Sequence, residues 1–95
     1  MPPPLVFSGE AQLAQNYPNP FNPATTIRFS LPEAMSVRVD VFDVLGRRVA
    51  VLADGLHPAG WNEVRFDAGR LPSGQYLYRL QAGDTVVTRP MLLVR

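Results

Sequence analysis

The chain has 95 residues, of which 46% are hydrophobic and 18% charged, with a formal net charge of +1. That length fits a single domain able to bury ~60–65% of its unfolded surface, and the apolar fraction excludes a disordered tail. No apolar run approaches the roughly 18 residues of a membrane-crossing helix, so there is no transmembrane segment.

All nine basic residues are arginines, spaced along the chain with acids between most of them. This is an interspersed surface, not a phosphate-tracking stripe, which argues against a nucleic-acid partner. There is no cysteine, hence no disulfide, no thiolate nucleophile and no Cys-ligated metal. The opening Met1-Pro2-Pro3-Pro4 lacks the basic and apolar regions of a signal peptide. Either the protein is cytoplasmic, or this is the tail of a longer secreted chain with an added start Met.

Pro2 to Pro4 reads as an extended, semi-rigid linker end. The window Glu10 to Gln15 is the best helical candidate, but it is too short to form an amphipathic stripe. Asn16-Tyr17-Pro18-Asn19-Pro20-Phe21-Asn22-Pro23 alternates Asn with Pro around two aromatics. Each residue before a proline is pushed toward extended conformations, which predicts an irregular arm whose Tyr17 and Phe21 pack onto the domain.

Beyond it the period is two. Ile27, Phe29 and Leu31 alternate with Thr26, Arg28 and Ser30 in a half-buried strand that stops at Pro32. Val37, Val39 and Val41 mark a second strand. The turn Asp43-Val44-Leu45-Gly46-Arg47 leads into a third, Arg48 to Leu52. Asp54-Gly55 and His57-Pro58-Ala59-Gly60 read as the next loop. Trp61 to Phe66 forms a fourth strand with Val64 and Phe66 on one face and Trp61, Glu63 and Arg65 on the other. Leu71-Pro72-Ser73-Gly74 precedes a fifth, Gln75 to Gln81, where Tyr76, Tyr78 and Leu80 share a face. A tight turn at Ala82-Gly83-Asp84-Thr85 leads to the last strand, Val86 to about Val94. Pro90 cannot donate to a ladder, so that strand lies at an edge or carries a bulge. Six or seven short, evenly spaced strands predict an all-β, immunoglobulin-like antiparallel β-sandwich of about seven strands.

Residues able to carry catalysis are sparse. His57, the one histidine, sits in a Pro/Gly turn with Asp54 as its nearest acid, which is not a ligand set; it reads as a solvated loop residue. Ser73 lies in Pro-Ser-Gly, not in a nucleophile elbow, and nothing orients a triad from it. Asp40 and Asp43, three apart, point to opposite faces, so they do not form a glycosidase pair. Phosphate-cradling glycine patterns are missing. The expectation is a protein that is not an enzyme, with no metal and no cofactor. Trp61, partly exposed near an edge, is weak evidence for a sugar platform and reads better as a cap over the sandwich.

The motifs Leu13-Ala14-Gln15-Asn16-Tyr17-Pro18-Asn19-Pro20-Phe21-Asn22-Pro23, Thr25 to Pro32, Val41 to Arg47, Phe66-Asp67-Ala68, Leu71 to Tyr76 and Thr88 to Arg95, in that order, resemble the C-terminal sorting domain of the type IX secretion system of Bacteroidetes and neighbouring phyla. The resemblance covers residues 13–95, leaving 1–12 as a Pro-rich linker and N-terminal arm. The chain stops a strand's length after its last turn, as a terminal signal would.

The resemblance implies an immunoglobulin-like sandwich without catalytic activity. It implies an N-terminal cargo domain in the full-length protein, recognition by the outer-membrane type IX translocon, and cleavage by a sortase-like cysteine protease within residues 1–12. The cargo would be secreted or held at the cell surface. Its recognition motifs fall on Gly74, Tyr76, Arg89, Met91, Leu92, Val94 and Arg95, although Arg stands in the terminal motif where the family commonly has Lys, and Pro90 lies inside it. Spaced guanidinium groups beside an apolar edge strand suit strand addition by a partner. Two other readings stand beside this one: a carbohydrate-binding module of a secreted enzyme, resting on Trp61, and a structural accessory module like the flagellar hook-capping scaffold domain.

Overall fold

The computed structural model describes residues 10–95; the linker expected at Pro2–Pro4 and most of the 1–12 segment lie outside them. The described residues form seven strands: β1 (Gln12–Leu13), β2 (Ala24–Leu31), β3 (Met35–Phe42), β4 (Arg48–His57), β5 (Gly60–Asp67), β6 (Gly74–Ala82) and β7 (Thr85–Leu93). They make two antiparallel sheets, ordered β1-β2-β5 and β4-β3-β6-β7. This is the all-β, seven-stranded sandwich that the period-two pattern predicts.

The alternation sets the core. Ile27, Phe29 and Leu31 from β2 meet Val37, Val39 and Val41 from β3, Tyr76, Tyr78 and Leu80 from β6, and Met91 and Leu93 from β7, all buried. Burying a side chain of this size contributes about 1.5–3 kcal/mol, so the interleaved faces hold the two sheets together without disulfides.

Two local expectations are corrected, and one window gains an element. The Glu10–Gln15 window, too short for a helix, supplies a strand: Gln12 and Leu13 pair with Ser30 and Phe29. Ala11 and Leu13 turn inward while Gln12 is exposed, a period-two pattern over too few residues to read from sequence. The third strand does not stop at Leu52. β4 continues through Asp54-Gly55 to His57, paired with β3 back to Met35. Two register shifts opposite Val39/Asp40 and Val41/Phe42 bend it, and Gly55 takes φ 146°, so a dipeptide that usually turns remains in the ladder. His57 is therefore a strand-end residue and not a free loop side chain. Its ring packs edge-on against Phe29 with centroids 5.6 Å apart, and Nδ1 lies 3.1 Å from the Gly55 carbonyl.

The β3–β4 turn is closed by Asp43. Its carboxylate accepts N–H bonds from the Arg47 backbone at 3.0 Å and the Leu45 backbone at 2.9 Å, and the Arg47 Nε at 2.8 Å. These donors, the Arg47 amide first, outweigh desolvation and hold the carboxyl below the ordinary aspartate range. Gly46 supplies the left-handed residue of the turn at φ 83°.

Candidate functional site

The residues that the sequence singles out converge on one end of the β6–β7 hairpin. Gly74 stands opposite Leu93, Gln75 opposite Leu92, Tyr76 opposite Met91, and Tyr78 opposite Arg89. Pro90 pairs with Leu77 on β7, which is an edge strand of its sheet without a bulge, as a residue without an N–H requires.

Alternation divides the set in two. Tyr76 and Met91 point into the core, and the Tyr76 hydroxyl donates to the Pro72 carbonyl at 2.7 Å. Leu92 and Val94 face outward, each 42% exposed. Arg89 lies on the inner rim, where its Nε donates to the Leu13 carbonyl at 2.6 Å and ties β7 to β1 across the sheet gap. Arg95 reaches back to the loop before β6: its Nε donates to the Leu71 carbonyl at 3.2 Å, and one terminal nitrogen donates to the carbonyls of Leu71 and Gly69. Both guanidiniums thus make bonds within the domain.

The edge is not open either. The Asn-Pro arm lies along it. The Phe21 amide donates to the Leu92 carbonyl at 2.9 Å, and the Val94 amide donates to the Phe21 carbonyl at 3.0 Å, forming a parallel bridge at Phe21 and Leu93. Asn19 Oδ1 accepts from the Leu92 amide at 3.0 Å, and Gln15 Nε2 donates to the Pro90 carbonyl at 2.9 Å. Every second residue from Pro90 to Val94 is thereby satisfied, and strand addition there would have to displace the arm. Phe21 is buried edge-on against Phe66, centroids 5.9 Å apart, as the sequence predicts. Tyr17 is not packed: it is 81% exposed, because its backbone bridges to Thr26 and turns the ring to the outer face of the three-stranded sheet.

Asn16 and Tyr78 anchor the start of the arm. The Tyr78 hydroxyl donates to the Ala14 carbonyl at 2.7 Å and accepts from the Asn16 amide at 2.8 Å. Asn16 Nδ2 donates to Thr25 Oγ1 at 3.0 Å, and that hydroxyl donates to the Pro18 carbonyl at 2.9 Å. Burial raises the Tyr78 pKa above its ordinary value, against the smaller opposing effects of the Asn16 amide and the Arg89 charge. Between arm and hairpin lies a shallow, mainly apolar groove of about 300 Å³ lined by Gln15, Asn19, Gln75, Pro90, Met91 and Leu92.

One cluster was invisible to sequence reasoning. Asp40 is 1% exposed although it lies on the outer face of the four-stranded sheet. Arg38 Nε bonds its Oδ1 at 3.0 Å, while Arg48 Nε and a terminal nitrogen of Arg79 lie 3.5 and 3.6 Å from Oδ2. The Arg48 and Arg79 guanidiniums lie 6.0 and 4.6 Å from the Phe42 ring centroid. The register that brings β4 and β6 against β3 assembles this group, and no spacing along the chain announces it. Ser73, just before β6, and His57, at the end of β4 opposite Met35, lie at opposite ends of the same sheet.

The fold and this clasp define a small β-sandwich module whose last strand is held by its own leading arm. A family profile, the secretion system C-terminal sorting domain, matches residues 15–94, and the chain belongs to that family. It is a sorting signal for type IX secretion, which takes an attached cargo protein out through the outer membrane. No curated protein matches the chain significantly.

Proposed function

We propose that the β6–β7 end together with the arm is the surface by which the outer-membrane translocon and the sortase-like protease recognise this domain, and that the domain carries no catalytic activity of its own. The observation that carries this reading is the split within the seven motif residues. Leu92 and Val94 present apolar side chains beside the groove, while Gly74, Tyr76, Met91, Arg89 and Arg95 fix the shape they sit on. On this reading the address is a folded surface of mixed apolar and backbone-rigid character, not a linear peptide.

The boundary between linker and sorting domain follows the same logic. Ala11 is buried and Gln12 is paired, so cleavage falls on the N-terminal side of Ala11, within the linker. The cargo is then released or held at the cell surface.

The test is an export assay in a bacterium with a working type IX system. A fluorescent reporter with an ordinary signal peptide is fused ahead of residues 1–95. Leu92→Asp with Val94→Asp costs no more than about 1 kcal/mol, or about 4–8 °C in melting, since both side chains are partly exposed, and leaves the reporter folded in the periplasm. Export of that variant at the unmodified rate would overturn the assignment.

A further inference from the structure

The outer face of the three-stranded sheet is turned away from the β7 edge, and apart from Gln15 and Tyr17, which reach it from the start of the arm, its residues are not used by the sorting reading. Among the described residues it carries the two exposed aromatic rings, Tyr17 at 81% and Trp61 at 59%. Neither is loosely held. Tyr17 and Thr26 exchange both backbone hydrogen bonds at 3.0 Å, and Trp61 is paired with Ser30 and covered on one side by the Arg28 guanidinium, 5.7 Å from the ring centroid. Four residues of register along β2 and two strand spacings separate the rings, roughly 16 Å between backbones.

Between them is a depression of about 340 Å³ lined by Gln15, Tyr17, Thr26, Arg28 and Glu63. Arg28 stands directly opposite Glu63 in the ladder, yet its guanidinium turns to Trp61, so the Glu63 carboxylate makes no ion pair or hydrogen bond among the described residues. An aromatic ring, an amide, a hydroxyl, a guanidinium and a free carboxylate around one shallow cup form a particular chemical set. The planar groups can take the paired hydroxyls of a sugar, and the rings can cover its C–H faces.

The charges on this face, Arg28, Glu63, Arg65 and Asp67, alternate in sign along and across the strands, so it has no single-sign field for a polyanion or polycation. A protein partner would require an apolar centre, and here the aromatics stand at the two ends with polar groups between.

We propose that this face binds a neutral oligosaccharide, with Tyr17 and Trp61 as stacking platforms and Glu63, Gln15 and Thr26 as hydrogen-bonding partners. Trp61 is the chain's only tryptophan, so its fluorescence reports on the site directly. The whole 95-residue chain is titrated in turn with cellohexaose, xylohexaose, mannohexaose and laminarihexaose. A saturable change in Trp61 emission with at least one of them is expected, and Tyr17→Ala and Glu63→Gln each weaken it by about tenfold with unchanged melting. Trp61→Ala, followed by calorimetry, abolishes the heat of binding.

No change with any of the four sugars overturns the proposal, as does a change that survives Tyr17→Ala and Glu63→Gln undiminished. Emission that shifts with protein concentration alone, with dimers in sedimentation, assigns the face to a second copy and also overturns it. Export of a Glu63→Gln fusion at the normal rate is expected in every case, because Glu63 lies on β5, outside both the arm and the β6–β7 end, so failure here is separable from failure of the recognition surface.

Discussion

At the scale of single residues, the Tyr78 hydroxyl carries more of the architecture than its place in an alternating strand suggests. It donates to the Ala14 carbonyl and accepts from the Asn16 amide, more than sixty residues away in sequence. Tyr78→Phe keeps the ring but leaves a half-buried carbonyl and a buried amide without this partner. A loss of about 1–3 kcal/mol in urea unfolding is expected. The raised pKa adds a pH signature. Below about 10 the phenol is protonated in both the folded and unfolded chains, and its contribution is fully present. As pH rises past that value the unfolded chain releases its proton first, and stability falls until the folded pKa is passed. Tyr78→Phe should therefore show a shallower alkaline decline than the parent, measured by unfolding between pH 9 and pH 11 (about one unit either side of the ordinary tyrosine value). Equal slopes would mean that the phenol does not titrate differently on folding.

At the scale of elements, the arm behaves as an added edge to the four-stranded sheet. Phe21 is its anchor, buried against Phe66 and bridged in parallel to Leu93. Phe21→Ala removes a fully buried ring, and a cost of about 3–5 kcal/mol is expected. In hydrogen exchange the amides of Phe21, Leu92 and Val94, which bond between arm and β7, should lose protection earlier than those of the β3–β6 ladder. Protection at Val94 equal to that of the β3–β6 ladder would show that the arm opens only together with the whole sandwich. β4 shows the complementary device: as the opposite edge of that sheet it is bent by two bulges, which makes a poor template for a further strand.

At the scale of the whole molecule, the two sheets and the clasp form one cooperative unit, because arm residues contact both. Asn16 bonds Thr25 of β2, Tyr17 bridges Thr26, and Phe21 bridges β7. Removing residues 1–22 uncovers the backbone of Leu92 and Val94 and the ring of Phe66 at one edge. Such an open, apolar edge pairs with other chains. The shortened domain is expected to self-associate in sedimentation and light scattering, while the full chain does not. A monomeric shortened domain with unchanged melting would show that the arm is dispensable for closing the sandwich.

The strands from β2 to β7 were legible because their signal is local. Two-residue alternation around Ile27–Phe29–Leu31 or Tyr76–Tyr78–Leu80, bounded by Pro and Gly turns, dictates which side chains must leave water whatever their partners. Family membership was equally legible, being a matter of ordered motifs. Four features required the tertiary structure: the extension of β4 through Asp54-Gly55, the burial of Asp40 under three arginines, the exposure of Tyr17, and the occupation of the β7 edge by the arm. Each is decided by register between segments distant in sequence. A one-residue slip would turn Tyr17 inward or move Arg79 away from Asp40, and nothing within either segment alone specifies that register. Sequence by itself determined the strands, the sandwich and the sorting family; only the folded register decided which motif residues face outward and which serve to hold them there.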